Sequence, residues 1–251
     1  MSAVADSSGN DLGAPCCAEI ARAKGVLFDL DGTLVDTLDS LWRAGNAVLD
    51  RMELGTRSRH SYRRAVGYGT TRMFETLLTE GNQEPSAALL EACTRAMVAL
   101  YPEYWPRFAL AFEGLAELVA LLAQRGVRMG VVSNREQATV SAMLDRFFPA
   151  QRWQVVLGAG KFPNKPDPEG CSYAAQCLGM QPREVVLVGD TEVDILAARN
   201  AGMIAAAVSW GFRDGATLRA AAPSAIAESP WELAALFGLP NAARPTCQRD
   251  R

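Results

Sequence analysis

Residues 26–37 read VLFDLDGTLVDT, and this stretch decides the fold. Its apolar beginning, Val26 to Phe28, is typical of a central strand in a parallel sheet, where both faces are buried. Asp29 and Asp31 follow at once, and because residues two apart on a strand share a face, their carboxylates point to the same side. Burying a charge is costly unless the charge is paired or bound to a metal. The two aspartates therefore need a partner.

Strands and helices alternate in the second half of the chain. The patterns predict strands within residues 127–134, 153–158, 184–190 and 203–211, and helices within residues 114–126, 135–147, 168–178 and 194–201. Such alternation is typical of right-handed βαβ units. We therefore predict an α/β fold built on a doubly wound, Rossmann-like parallel sheet.

Between the first and second predicted strands, the chain has helical periodicity. We interpret this stretch as an inserted all-α cap domain at residues 38–111, with the α/β core formed by residues 23–37 and 112–239. Residues 1–22 are predicted to be a disordered tail, and residues 240–251 a loose one.

Composition excludes several classes of protein. The net charge of −3 argues against nucleic-acid binding, and no apolar run has the length of a membrane span or the layout of a signal peptide. We expect a soluble, cytoplasmic protein of undetermined oligomeric state. His60 is the single histidine, which disfavours a Ser-His-Asp or Cys-His mechanism. The cysteines show no metal-binding spacing and are expected to be free thiols, with no role assigned to the adjacent pair: Cys16, Cys17, Cys93, Cys171, Cys177 and Cys247.

Polar residues follow four of the predicted strands, at the edge where such sheets bind ligands. They are Asp29 and Asp31, then Ser133 and Asn134, then Lys165, then Asp190 and Asp194. Converging carboxylates favour a hard divalent cation, most simply Mg²⁺. A lysine and hydroxyl groups beside that metal suit the oxygens of a phosphoryl group.

These motifs, in this order, resemble those of the haloacid dehalogenase superfamily of phosphohydrolases. The first is DLDGT at residues 29–33, followed by Ser133-Asn134, Lys165 and GDTEVD at residues 189–194. The resemblance implies that Asp29 is the nucleophile that accepts the phosphoryl group and that Asp31 is the acid and base. Since dehalogenases of the superfamily lack an aspartate at the position of Asp31, carbon–halogen cleavage is not expected.

The resemblance also implies roles for the other motif residues. It assigns phosphate binding to Gly32, Thr33, Ser133, Asn134 and Lys165, Mg²⁺ binding to Asp190 with the Asp29 carboxylate and the Asp31 carbonyl, and orientation of Lys165 or a water to Asp194. The predicted cap contains no lysine, so the Schiff-base chemistry of phosphonoacetaldehyde hydrolases is not expected either.

Two segments suggest a substrate. VGYGTTRMFETLL at residues 66–78 resembles the helix start in the cap of phosphoglycolate phosphatases, and WGFRDG at residues 210–215 fits the same group. We therefore expect a small anionic phosphate ester, with 2-phosphoglycolate as the leading candidate and Gly67, Gly69 and Arg72 as its cap contacts. The alternatives are a phosphomutase, an inorganic pyrophosphatase and a non-catalytic phosphate-binding protein.

Overall fold

The computed structural model describes residues 14–239 of the chain. The strands in this range are β1 (Gly25–Phe28), β2 (Val35–Asp36), β3 (Leu110–Ala111), β4 (Arg128–Glu136), β5 (Val155–Ala159), β6 (Val185–Gly189), β7 (Ile204–Val208) and β8 (Ala225–Ala227). The helices are α1 (Ala14–Arg22), α2 (Leu38–Arg51), α3 (Arg59–Ala65), α4 (Thr70–Glu80), α5 (Ala87–Phe108), α6 (Leu115–Gln124), α7 (Gln137–Phe147), α8 (Glu169–Cys177), α9 (Glu192–Asn200), α10 (Gly215–Ala220) and α11 (Pro230–Leu236).

Six strands form one parallel sheet in the order β5-β4-β1-β6-β7-β8. The first strand of the chain lies in the middle, where Phe28 pairs with Val131 of β4 on one side and Val188 of β6 on the other. Later strands are added on both sides of β1, and ligands of such sheets bind in the crevice at that reversal of strand order. The predicted doubly wound sheet is confirmed, and β8 is a strand that the sequence did not predict.

Both faces of the sheet are covered, which explains the continuous apolar run in β1. Val26 and Phe28 belong to the hydrophobic cluster that includes α6, α7 and α11. Leu27, which points the other way, belongs to the cluster that includes α8, α9 and α10. All three side chains are fully buried. The strand therefore holds the residues that follow it in a fixed position.

The inserted helical cap is also confirmed. Helices α2 to α5 lie between β2 and β3, and these two short strands pair antiparallel, with Val35 opposite Ala111. Buried side chains such as Leu41, Val48 and Met97 pack the cap helices together. Because the β2–β3 pair brings the entry and exit of the insertion side by side, we propose the cap as residues 38–111 and the core as residues 23–37 and 112–239.

The predicted tails at residues 1–22 and 240–251 overlap the described residues only at positions 14–22. Residues 14–22 form helix α1, whereas disorder was predicted for residues 1–22; α1 packs against α11 and buries Ile20 completely. The rest of that range and the predicted tail at residues 240–251 lie outside the described residues.

Cys93, Cys171 and Cys177 are free thiols, as predicted. Among the helices of residues 14–239, none has the length and apolar character needed to cross a membrane.

Candidate active site

The carboxyl ends of three adjacent strands bring the predicted residues together. Asp29 follows β1, and its backbone N–H donates to the Val188 carbonyl of β6 at 2.9 Å. Asp190 follows β6, and Ser133 lies in the C-terminal part of β4 on the other side of β1. All three polar residues are buried, so the sheet itself places them in one enclosed group.

The turn after β1 holds Asp190. Gly32 has a φ of +82°, and a Cβ atom there would lie 2.3 Å from Asp190 Oδ2, so both backbone conformation and space require glycine. Thr33 Oγ1 donates to Asp190 Oδ1 at 3.1 Å, and the Phe212 N–H donates to Asp190 Oδ2 at 2.7 Å. Both carboxylate oxygens of Asp190 are therefore fixed in position.

Lys165 joins two of the aspartates. Its buried Nζ donates to Asp29 Oδ1 at 2.8 Å, to Asp194 Oδ1 at 2.6 Å and to the Val132 carbonyl at 2.7 Å. Burial would lower the pKa of Lys165, but the Asp194 and Asp29 carboxylates outweigh burial and raise that pKa. Asp194 Oδ2 in turn accepts from Thr191 Oγ1 at 2.8 Å. Lys165 is thus a fixed, charged donor beside Asp29.

The carboxylate cluster has more negative charge than Lys165 can balance. Carboxylate oxygens of Asp29, Asp190 and Asp194 lie within 4.8 Å of one another. Burial raises the pKa of Asp29 to about 7, although Lys165 opposes the shift. Burial, reinforced by the Asp29 and Asp194 carboxylates, raises the pKa of Asp190 well above its usual range. A buried set of oxygen donors with an uncompensated charge fits a divalent cation such as Mg²⁺.

Asp31 has a partner that the sequence did not reveal. Arg135 donates from Nε to Asp31 Oδ2 and from Nη2 to Asp31 Oδ1, both at 3.1 Å. Thr37 Oγ1 also donates to Asp31 Oδ1, at 2.7 Å. Burial would lower the pKa of Arg135, but Asp31 outweighs burial and raises that pKa. The position of Arg135 directly after Ser133-Asn134 is the one signal in the sequence that pointed to it.

The cap reaches the site through its glycine loop. Asn134 Nδ2 donates to the Gly67 carbonyl and to the Lys165 carbonyl, both at 2.9 Å, and Asn134 Oδ1 accepts from the Lys165 N–H at 2.8 Å. Gly67 and Gly69 line a small cavity of about 40 Å³ together with Asp29, Asp31 and Ser133. The structure therefore brings both predicted cap glycines to the cavity that the carboxylates line.

Arg72 lies elsewhere. Its side chain is 63% exposed and pairs with Glu75 of the same helix, and it lines an outer groove of the cap instead of the cavity. This placement does not support Arg72 as a substrate contact. Met73 and Phe74 occupy the buried face of α4, which turns Arg72 toward solvent.

Two other arginines fasten the cap to the core. Arg213, in the loop after β7, donates to the Arg63 carbonyl at 2.9 Å and to the Val66 carbonyl at 2.8 Å. In the reverse direction, Arg63 of α3 donates to the Phe212 carbonyl at 2.7 Å. Arg213 also bonds Glu192 at 2.7 Å. These contacts hold the loop that contains Gly67 over the carboxylates.

Comparisons with known proteins agree with this geometry. The sequence profile of the family described as haloacid dehalogenase-like hydrolase matches residues 26–208. The phosphoglycolate phosphatase of Chromobacterium violaceum is 30% identical over 203 residues, covering 80% of this chain and 91% of that protein. The phosphoglycolate phosphatase of Escherichia coli K12 is 27% identical over 245 residues, covering 90% and 97%. A crystal structure from Lactobacillus delbrueckii subsp. bulgaricus superimposes with a TM-score of 0.77 at 25% identity, covering 86% of this chain and 99% of that one.

Proposed function

Because the chain belongs to the family of haloacid dehalogenase-like hydrolases, we propose that it is a phosphatase of small phosphomonoesters, with 2-phosphoglycolate as its substrate. The observation that carries the proposal is the Lys165 ammonium 2.8 Å from Asp29, at the end of the central strand. That contact orients one carboxylate oxygen of Asp29. It also puts a positive charge beside the position that the oxygens of a phosphoryl group would occupy.

Mg²⁺ is the cofactor in this proposal. The residues that would hold it are Asp29 and Asp190, through their carboxylates, and Asp31, through its carbonyl. Asp194 is better suited to positioning Lys165, because its Oδ1 already accepts from the Lys165 ammonium at 2.6 Å, whereas the donors to Asp190, Thr33 Oγ1 and the Phe212 N–H, are neutral. When bound, the ion would supply positive charge that offsets the charge of the phosphoryl oxygens.

The reaction proceeds in two displacements at phosphorus. An Asp29 oxygen forms a bond to phosphorus as the bond to the ester oxygen breaks, and Asp31 gives that leaving oxygen a proton. Water then attacks the phosphorus of the aspartyl phosphate, Asp31 takes a proton from that water, and phosphate leaves with Asp29 restored. Throughout, Lys165, the Ser133 hydroxyl and the amides after Asp31 hold the phosphoryl oxygens.

Two features support a small substrate. The cavity above Asp29 is about 40 Å³, and the cap loop at Gly67 lines it and bonds Asn134. The relatives from C. violaceum and E. coli are both phosphoglycolate phosphatases. We therefore place 2-phosphoglycolate ahead of a sugar phosphate or pyrophosphate.

The experiment is phosphate release with Mg²⁺ from 2-phosphoglycolate, pyrophosphate, a hexose phosphate and 4-nitrophenyl phosphate. Asp29→Asn should abolish release, whereas the matched control Asp145→Asn, on the exposed face of α7, should not change it. Highest kcat/KM on 2-phosphoglycolate supports the proposal. Preference for pyrophosphate, phosphoryl transfer between sugar carbons, or no turnover by the wild type would refute it in favour of a pyrophosphatase, a mutase or a binding protein.

A further inference from the structure

Arg135 lies in the cavity beside Asp29. Within residues 14–239, it is the one arginine among the side chains that line this cavity, and 7% of its surface is exposed. The arginines of the cap face elsewhere: Arg63 bonds core carbonyls, and Arg72 pairs with Glu75 on the outer surface. A substrate with an anionic group in addition to its phosphoryl group would therefore meet the guanidinium of Arg135 in this cavity.

The guanidinium of Arg135 has donors to spare. Its pair with Asp31 uses two N–H groups, one on Nε and one on Nη2. A guanidinium carries five N–H donors in one plane, so three remain. The Tyr101 ring of α5 lies under the guanidinium, 4.5 Å from its central carbon, and Tyr101 is held by a 2.8 Å hydrogen bond between its hydroxyl and Ser40 Oγ. The ring covers one face of the plane and leaves the N–H groups at its edge available.

We propose that Arg135 binds the carboxylate of the substrate, a role that rests on the proposed function. Asp31 must reach the ester oxygen that leaves in the first displacement. In 2-phosphoglycolate a single methylene carbon separates that oxygen from the carboxylate. The Arg135 guanidinium, 3.1 Å from Asp31, is therefore close enough to pair with this carboxylate.

Charge makes such a partner necessary. A carboxylate that enters the cavity approaches Asp29, Asp31 and Asp194, which all repel it. Lys165 is paired with both Asp29 and Asp194, and in the proposed reaction it serves the phosphoryl group. Arg135 is the cation that can accept an additional anion, and its planar fork suits a carboxylate in a way that a lysine ammonium does not.

The experiment compares 2-phosphoglycolate with ethyl phosphate, which has the same ester and a methyl group in place of the carboxylate. Arg135→Gln should lower kcat/KM for 2-phosphoglycolate roughly 10- to 100-fold more than for ethyl phosphate. Arg135→Lys keeps the charge without the planar fork and should give a smaller selective loss. If circular dichroism shows that Arg135→Gln does not fold, Arg135→Lys takes its place. Arg72→Ala is the matched control, and both substrates should respond to it equally.

A binding measurement distinguishes failure of this inference from failure of the proposed function. Calorimetric titration of 2-phosphoglycolate into Asp29→Asn protein should show affinity that Asp29→Asn/Arg135→Gln, or its Arg135→Lys counterpart, loses selectively over ethyl phosphate. If the wild type turns over neither ester but the titration shows this loss, the proposed function fails and the inference holds. Equal losses for both esters would overturn the inference, because Arg135 would then act only through Asp31. A selective loss in Arg72→Ala would also overturn it, because the carboxylate would then be recognised by the cap arginine.

Discussion

Replacing Asp194 with asparagine tests the charge network that holds Lys165. The Lys165 and Asp194 side chains are each 4% exposed and lie 2.6 Å apart, while Asp29 pairs with the same ammonium at 2.8 Å. Asparagine keeps the volume of Asp194 but removes one acceptor and adds a donor. Its amide must then face either Lys165 Nζ or the donors of Thr191, so one buried donor loses its acceptor.

The expected cost follows from that arrangement. Breaking a buried ion pair costs about 3–5 kcal/mol of unfolding free energy. Because Asp29 continues to pair with Lys165, and because losing the Asp194 charge relieves its repulsion with Asp29 and Asp190, we expect Asp194→Asn to lie at the lower end, about 3 kcal/mol. Urea unfolding followed by circular dichroism in EDTA measures this cost without a contribution from bound metal. The exposed control Asp145→Asn should change stability by less than about 0.5 kcal/mol. A loss below about 1 kcal/mol in Asp194→Asn would show that the Lys165 network does not have the strength inferred from its burial.

Three further predictions concern the turn, the metal and the cap. Gly32→Ala should abolish phosphate release, because its Cβ would lie 2.3 Å from Asp190 Oδ2, whereas Gly126→Ala, with a similar φ of +73° and nothing within 4 Å, should keep activity and cost about 1 kcal/mol. Mg²⁺ at 100 times its dissociation constant should raise the Tm of EDTA-treated protein by about 5 °C or more; the same shift in Asp190→Asn would contradict the assignment of that carboxylate to the metal. Arg213→Ala removes two guanidinium hydrogen bonds to cap carbonyls, worth about 1.5–3 kcal/mol each. Deuterium exchange at residues 66–70 should therefore rise roughly tenfold or more, and unchanged exchange would show that Arg213 does not hold the cap loop in place.

Much of the site could be predicted because the parallel sheet imposes it. Once residues 26–28 are identified as a buried central strand, the residues at the carboxyl ends of its neighbours must meet. The periodic patterns of β4 and β6 were strong enough to place Ser133 and Asp190 on that edge. The contacts of Lys165 with Asp29 and Asp194 agree with that expectation.

What the sequence did not reveal depends on packing between distant segments. Arg135 meets Asp31 because Tyr101, on a cap helix 34 positions earlier in the chain, supports its guanidinium. No local pattern specifies that contact. Arg72 was chosen for its charge and its nearness to the glycine pair, but the buried face of α4 belongs to Met73, Phe74 and Leu77. The periodicity of that helix places Arg72 on its exposed side, so the hydrophobic pattern of the helix argues against Arg72 as a substrate contact.

The most direct test of the account is to trap the covalent intermediate. Borohydride reduces an aspartyl phosphate to homoserine, and trypsin releases Asp29 in the peptide of residues 25–43, between the cleavage sites after Lys24 and Arg43. Protein quenched during turnover of 2-phosphoglycolate with Mg²⁺ should carry homoserine at position 29 by tandem mass spectrometry, and protein without substrate should not. Steady release of phosphate with Asp29 unmodified, or homoserine at Asp31 instead, would contradict the assignment of Asp29 as the nucleophile.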